Sequence, residues 1–402
     1  MANLNATPSG ERVHIGFFGV RNAGKSSVVN AVTGQDLAVV SDALGTTTDP
    51  VRKAMELLPI GPVVVVDTPG IDDEGDLGSE RVRRARRALR QCDVAVLVVD
   101  ATAGMADADR ELVAEFGRRG VPCLVAMNKA DLLDVAQREQ AGAEPGRVLV
   151  SAKTGEGVEE LKDRLGALAA GMEPPRRLVA DLLGEGDVVV LVVPIDGSAP
   201  KGRIILPQQM VLRDVLDAHA TALACQPDEL AGALASLKQP PRLVVTDSQA
   251  FGPVAAIVPA DVQLTSFSIL MARYKGSLSA YAAGAEALES LTDASRVLVS
   301  EGCTHHRQCE DIGTVKIPRW VEGVTGARPR FDFTSGGDFP NDLGTYDLVI
   351  HCGACMLNDR EVAHRIAAAR AAGVPIVNYG MAIAHMHGVL ARSLGPFKGQ
   401  FD

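Results

Sequence analysis

An apolar run, Val13 to Phe18, breaks into Gly19-Val-Arg-Asn-Ala-Gly-Lys25-Ser26 and resumes as a helix-like segment, Ser27 to Val32. A strand, a glycine-rich turn and a helix in that order form a phosphate-binding loop, which leaves the N-terminal third little choice beyond an α/β sheet. Gly19 and Gly24 let backbone N–H groups approach phosphate oxygens at a helix start that already favours anions. Ala23, Gly24, Lys25, Ser26 and Ser27 are expected to line the phosphates, with Lys25 on the terminal ones and Ser26 on magnesium.

Four further segments follow: Gly45-Thr46-Thr47-Thr48, Val63 to Val66 leading into Asp67-Thr-Pro-Gly70, Asn128-Lys129-Ala-Asp131, and Ser151-Ala152-Lys153. Together with the phosphate loop they resemble the five motifs of the translation-factor-related (TRAFAC) GTPases. The resemblance implies that Asp67 orients magnesium through water and that the Gly70 N–H senses the terminal phosphate. Thr47 would complete the magnesium shell. Asp131 can accept two hydrogen bonds from guanine N1–H and the N2 amino group; adenine lacks that pair of donors, so the nucleotide is expected to be GTP or GDP. Asn128, Lys129, Ser151, Ala152 and Lys153 belong to the same base-binding set. Ile71 stands where Ras-like enzymes carry a water-positioning Gln. Asn22 matches the Asn with which potassium-activated relatives bind a monovalent cation, so potassium is expected to supply the missing transition-state charge.

The chain has 402 residues, enough for two to three domains. Its charge of -10 speaks against wholesale nucleic-acid binding, and its seven scattered cysteines suit a reducing cytoplasm. The first 12 residues lack a signal-peptide pattern, and no apolar run reaches the ~18 residues of a membrane span. The arginines between Ser79 and Gln91 read as the solvated face of a helix, or as a docking surface for an acidic partner. Cys92 and Cys123 read as buried small hydrophobes. A linker at Gly171 to Arg177 closes the first domain, expected over residues 1–172. A small α/β domain over 173–263 follows, with Asp187 to Pro194 and Leu243 to Thr246 as strands and Val211 to Cys225 as a helix carrying His219 and Cys225.

Residues 264–402 continue the α/β pattern with strands at Arg296 to Ser300, Pro329 to Phe333, Tyr346 to Ile350 and Pro375 to Asn378. Cys303 and His305 follow the first of these, and His351, Cys352 and Cys355 follow the third. In open parallel sheets ligands gather beyond the carboxyl ends of strands, so both groups can meet on one edge. Cys-x-His and His-Cys-x-x-Cys are tight chelating bites, suited to zinc or an iron-sulfur cluster. His306 and Cys309 lie close by.

With a GTPase domain, a small α/β domain and these two bites, the chain resembles the HydF-type maturation GTPases of FeFe hydrogenases. Ala199 to Pro207, His351 to Asn358 and Asn378-Tyr-Gly380 are similar to segments of that family. The resemblance implies a three-domain α/β architecture: GTPase, dimerisation and parallel-sheet cluster-binding domains. It further implies a 4Fe-4S cluster held by Cys303, Cys352 and Cys355, with a fourth position open or held by a His such as His305 or His351. The protein would act as a scaffold that receives a di-iron precursor made with two radical-SAM maturases and passes it to apo FeFe hydrogenase. A homodimer or dimer of dimers is expected, without membrane or nucleic-acid partners. The alternative is a ribosome- or tRNA-directed GTPase with a structural metal site.

Overall fold

The computed structural model describes residues 7–35, 51–70, 85–171, 178–195, 204–302 and 311–399. Thr47, Ile71, Cys303 and His305 lie outside the described residues, as do His306, Cys309, Arg81, Arg83 and Arg84. The chain forms two units, Met1–Pro174 and Pro175–Asp402.

In the first unit six strands run in the order β2-β3-β1-β4-β5-β6. They are β1 (Val13–Phe18), β2 (Val51–Leu57), β3 (Gly61–Asp67), β4 (Val94–Asp100), β5 (Cys123–Asn128) and β6 (Arg147–Leu149). The central strands are nearly continuous Val, Leu and Ile because both faces are covered, as a parallel sheet requires. Helices Lys25–Thr33 and Val158–Ala170 pack one face through Val28, Val29, Leu161 and Leu165. Leu89 and Phe116 pack the other. β2 was not expected from the sequence. It is an antiparallel edge strand whose residues are mostly exposed, so Arg52, Lys53 and Glu56 erase the apolar alternation that would announce it.

The second unit contains two four-stranded sheets, β10-β9-β7-β8 and β12-β11-β13-β14, every pair parallel. The first is built from β7 (Val188–Val192), β8 (Thr221–Cys225), β9 (Leu243–Thr246) and β10 (Gln263–Ser266). The second comprises β11 (Arg296–Ser300), β12 (Arg330–Thr334), β13 (Leu348–His351) and β14 (Ile376–Asn378). One hydrophobic core runs through both, from Val190 and Phe251 to Val299 and Ile350.

Two expectations change here. The helix expected over Val211 to Cys225 starts earlier and stops at Asp217. His219 then turns the chain in the left-handed region (φ 55°), and Cys225 lies on β8. Pairing with β7 outweighs the helix-like Ala and Leu content of that edge strand. The expected junction at residue 264 falls inside β10, which pairs with β9, so this residue belongs within the first of the two sheets.

Candidate nucleotide site and candidate metal centre

The phosphate loop leaves β1 through Gly19 (φ 151°), where an added Cβ would stand 2.3 Å from the Val98 carbonyl oxygen. Gly24, at φ 82°, opens helix Lys25–Thr33, and a Cβ there would strike Asn128 Nδ2 at 2.3 Å. That contact matters because Asn128 is a buried tie. Its Nδ2 donates to the Ala23 carbonyl at 3.0 Å and its Oδ1 accepts from Ala152 N at 3.1 Å. One side chain thus joins three of the five motifs.

Asp67 ends β3 beside the loop. Lys25 Nζ lies 3.0 Å from its Oδ1, and Ser26 Oγ donates to its Oδ2 at 3.1 Å. Oδ1 is buried with no hydrogen bond beyond this ion pair. A hydroxyl beside a carboxylate, both hard oxygen donors, fits magnesium. Thr68 anchors the following residues, its Oγ1 donating to the Phe17 carbonyl at 2.7 Å. Gly70 passes so close to the loop that a Cβ would sit 3.2 Å from Arg21 Cα. Asn22 is exposed and left-handed (φ 63°) at the loop's crown.

On the base side, Asp131 Oδ1 accepts from Ser151 Oγ at 2.7 Å, which fixes the carboxylate. Lys129 Nζ meets Asp100 Oδ2 at 2.5 Å. Burial works against the Asp100 carboxylate, but hydrogen bonds from Lys129 and Thr102 win and hold it below its usual range. Arg138 braces the loop by donating to the Ala130 carbonyl at 2.8 Å while pairing with Glu156 at 2.5 Å. Ser27 lies in the first turn of the phosphate-loop helix, and Lys153 is exposed.

In the second unit β11, β13 and β14 bring Ser300, His351 and Asn378 into register at one carboxyl edge. Cys352 N donates to the Ser300 carbonyl at 3.0 Å, and Cys352 Sγ accepts from Gly302 N at 3.0 Å and Ala354 N at 3.4 Å. Ala354 is left-handed (φ 56°), which aims its N–H back at the sulfur, and a Cβ on Gly302 would strike Leu357 Cγ at 2.7 Å. Burial pushes the Cys352 thiol up to about 11. Burial also raises the Cys355 thiol, with Lys275 pulling it back. Binding a metal as thiolates would require both sulfurs to give up their protons. Backbone N–H groups aimed at a cysteine sulfur fit a thiolate-bound metal or cluster. Among the described residues no three His, Cys, Asp or Glu side chains group as a metal site.

His351 reaches this edge with both ring nitrogens engaged. Nδ1 meets the Cys352 carbonyl at 2.8 Å, and Nε2 meets Arg365 Nη1 at 3.0 Å. Burial first, then the Arg365 charge, pushes its pKa down to about 3. Arg365 was missed in the sequence, although its position shows in the pattern: it stands among Val362, Ile366 and Ala369 on the core face of helix Asp359–Ala371. Also unforeseen are Lys275, buried and donating to the Leu357 carbonyl at 2.8 Å, and Glu301, which accepts from Tyr379 Oη at 3.2 Å.

Three family models match the chain: the hydrogen maturase F tetramerization domain over residues 279–396, the hydrogen maturase F dimerization domain over 178–276, and a 50S ribosome-binding GTPase over 14–129. Among curated proteins, the tRNA modification GTPase MnmE of Bordetella petrii is 37% identical over 169 residues, covering 41% of this chain and 36% of that protein. MnmE of Xanthomonas campestris pv. campestris is 41% identical over 162 residues, covering 40% and 34%. The chain therefore spans about a third of the length of these relatives. A crystal structure of Era with MgGDPNP and nucleotides 1506–1542 of 16S ribosomal RNA matches at 20% identity and TM-score 0.36, over 53% of this chain and 91% of that one. No helix among the described residues is long and apolar enough to cross a membrane.

Proposed function

We propose, given that this chain belongs to the HydF-type GTPases, that it binds and hydrolyses GTP and serves FeFe-hydrogenase maturation as a scaffold and carrier. In this reading the chain takes up a di-iron precursor made with two radical-SAM maturases and delivers it to apo hydrogenase. The chain acts as a homodimer or a dimer of dimers, in keeping with the descriptions of the two domain families.

In the nucleotide site Lys25 exchanges its Asp67 partner for the terminal phosphates. Asp67 would then be left to orient magnesium, with Ser26 and Thr47 as the protein's own ligands. Gly70 N–H follows the terminal phosphate, and Asp131, held by Ser151, reads guanine. Asn22, at the crown of the loop, would hold a potassium ion, which would supply positive charge beside the phosphates.

The observation that carries the second half is the pair of N–H groups aimed at Cys352 Sγ, one of them from Gly302, the residue before Cys303. Cys303, Cys352 and Cys355 would hold a 4Fe-4S cluster. Three thiolates leave one iron of such a cluster without a cysteine, which gives a carried species a place to attach. The test is anaerobic reconstitution with iron and sulfide. We expect a brown protein with iron and sulfide near four each per chain, lost in Cys352→Ser and Cys355→Ser. Stoichiometric zinc without sulfide would instead favour a structural site. A colourless protein that binds ribosomal or transfer RNA would favour the ribosome- or tRNA-directed alternative.

A further inference from the structure

Arg365 is fully buried, and its guanidinium reaches the ends of β11 and β13, the strands that run toward the cysteines. Its Nη1 reaches His351 Nε2 at 3.0 Å and donates to Ser300 Oγ at 3.2 Å. Nη2 donates to the Gly336 carbonyl at 2.6 Å, Nε pairs with Glu361 at 2.8 Å, and the Phe339 ring lies 5.0 Å from the guanidinium carbon. A guanidinium donates hydrogen bonds and cannot accept them. His351 Nε2 must therefore present its lone pair to Arg365, which leaves the ring proton on Nδ1 to be donated to the Cys352 carbonyl at 2.8 Å. The tautomer is fixed by geometry, and neither nitrogen is left to face a metal.

We propose that Arg365 is a positioning residue of the cysteine site, and that the His351 ring it holds supports the Cys352 backbone instead of serving as a ligand. The inference rests on the cluster reading given above. Ligation through Nε2 would strip a fully buried guanidinium of one partner, and ligation through Nδ1 would orphan the Cys352 carbonyl. Each loss leaves a buried polar group without a partner, which folding strongly disfavours. The arrangement also fixes the distance between the two strand ends that deliver cysteines. Ser300 ends β11, accepts from Arg365 and Thr334 through its Oγ, and receives Cys352 N on its carbonyl. Two residues later Gly302 N donates to Cys352 Sγ. Arg365 thus sets β11 and β13 against each other at the level of the sulfurs. An Arg at this depth, in place of an apolar residue, has a positive reason to be there.

The test uses the full-length reconstituted protein. Pulsed EPR of the reduced cluster should give the same strong nitrogen-14 coupling, or the same lack of it, in wild type and His351→Asn. A coupling present in wild type and lost in His351→Asn would make His351 a ligand and overturn the proposal. The positioning role is read from the rate at which a chelator strips iron from Arg365→Met, His351→Asn and the double variant. Each single change should speed loss by roughly 10–100-fold, as supporting residues of metal sites do. The double variant should be no faster than the faster single, because both changes break one linkage. Rates that multiply, or a His351→Asn rate equal to wild type, would overturn the linkage. If Arg365→Met fails to fold, Arg365→Lys keeps the charge but loses the planar fork and carries the same cycle. Failure of the underlying cluster reading looks different: Cys352→Ser would then keep its iron and sulfide.

Discussion

The nucleotide site and the cysteine site use the same kinds of groups, carboxylates, a histidine or asparagine tie and basic side chains, at different depths. In the first, Asp67, Lys25 and Ser26 pair with one another, and on the reading proposed above Lys25 would turn to the phosphates and Asp67 and Ser26 to magnesium. In the second, His351 and Arg365 are buried, and their contacts are closed by the protein itself. A motif names the atoms able to bind something. The surroundings decide which of those atoms are free to do so.

The widest separation between the sites comes from exchanging their defects. Lys25→Ala should lower GTP turnover by about 10²–10³-fold, the scale expected when a group aimed at developing charge is removed, while reconstituted iron content stays at the wild-type level. Cys352→Ser should do the reverse, leaving turnover within about twofold while iron is lost. Measuring both quantities on both variants breaks the comparison if either defect crosses over. A smaller effect concerns the monovalent ion. If Asn22 holds potassium beside the phosphates, turnover in potassium should exceed that in sodium by on the order of 10²-fold, and Asn22→Ala should abolish the difference. Equal rates in the two salts would leave Asn22 as a turn residue, for which its φ of 63° already suits it.

Much of the nucleotide site was legible because each of its motifs carries its own chemistry in a few consecutive residues. Gly19, Gly24, Lys25 and Ser26 declare a phosphate loop wherever strand and helix flank them, and the structure adds only the ties, such as Asn128 to Ala23 and Ala152. The strand ends carrying the cysteines were legible for the same reason, since β11 and β13 are short apolar runs. What could not be read was how one side chain would be used by another far away in sequence. His351 offers two nitrogens to any reader of the sequence, and only Arg365, on another element, shows that both are taken. β8 and β2 were missed or misread for a related reason: as edge strands they owe their form to one neighbour and carry little pattern of their own.

The smallest effect, at a partly exposed ion pair, is set against a buried pair of similar chemistry to test depth directly. Lys129–Asp100 is partly exposed, with side-chain exposures of 34% and 22%, whereas Arg365–Glu361 stands at 0% and 4%. Exposed pairs are screened and contribute about 0.2–1 kcal/mol, so Asp100→Asn should weaken the first unit by no more than that, and less in high salt. The pH dependence follows from the direction of the shift: the folded carboxylate lies below its unfolded value of about 3.9, held there by Lys129 and Thr102 against burial. Its stabilisation is therefore complete well above that pH and disappears as pH falls through the folded value. The difference between wild type and Asp100→Asn, followed by urea unfolding, should be flat from neutral pH to about 5 and shrink below about 4. Breaking the buried pair by Glu361→Gln should instead cost about 3–5 kcal/mol and be insensitive to salt, because the guanidinium left behind has no water to turn to. The only tryptophan, Trp320, lies in the second unit and reports that loss directly. If the two substitutions cost the same and respond alike to salt, depth does not separate the sites, and the closed character given to the cysteine edge is wrong.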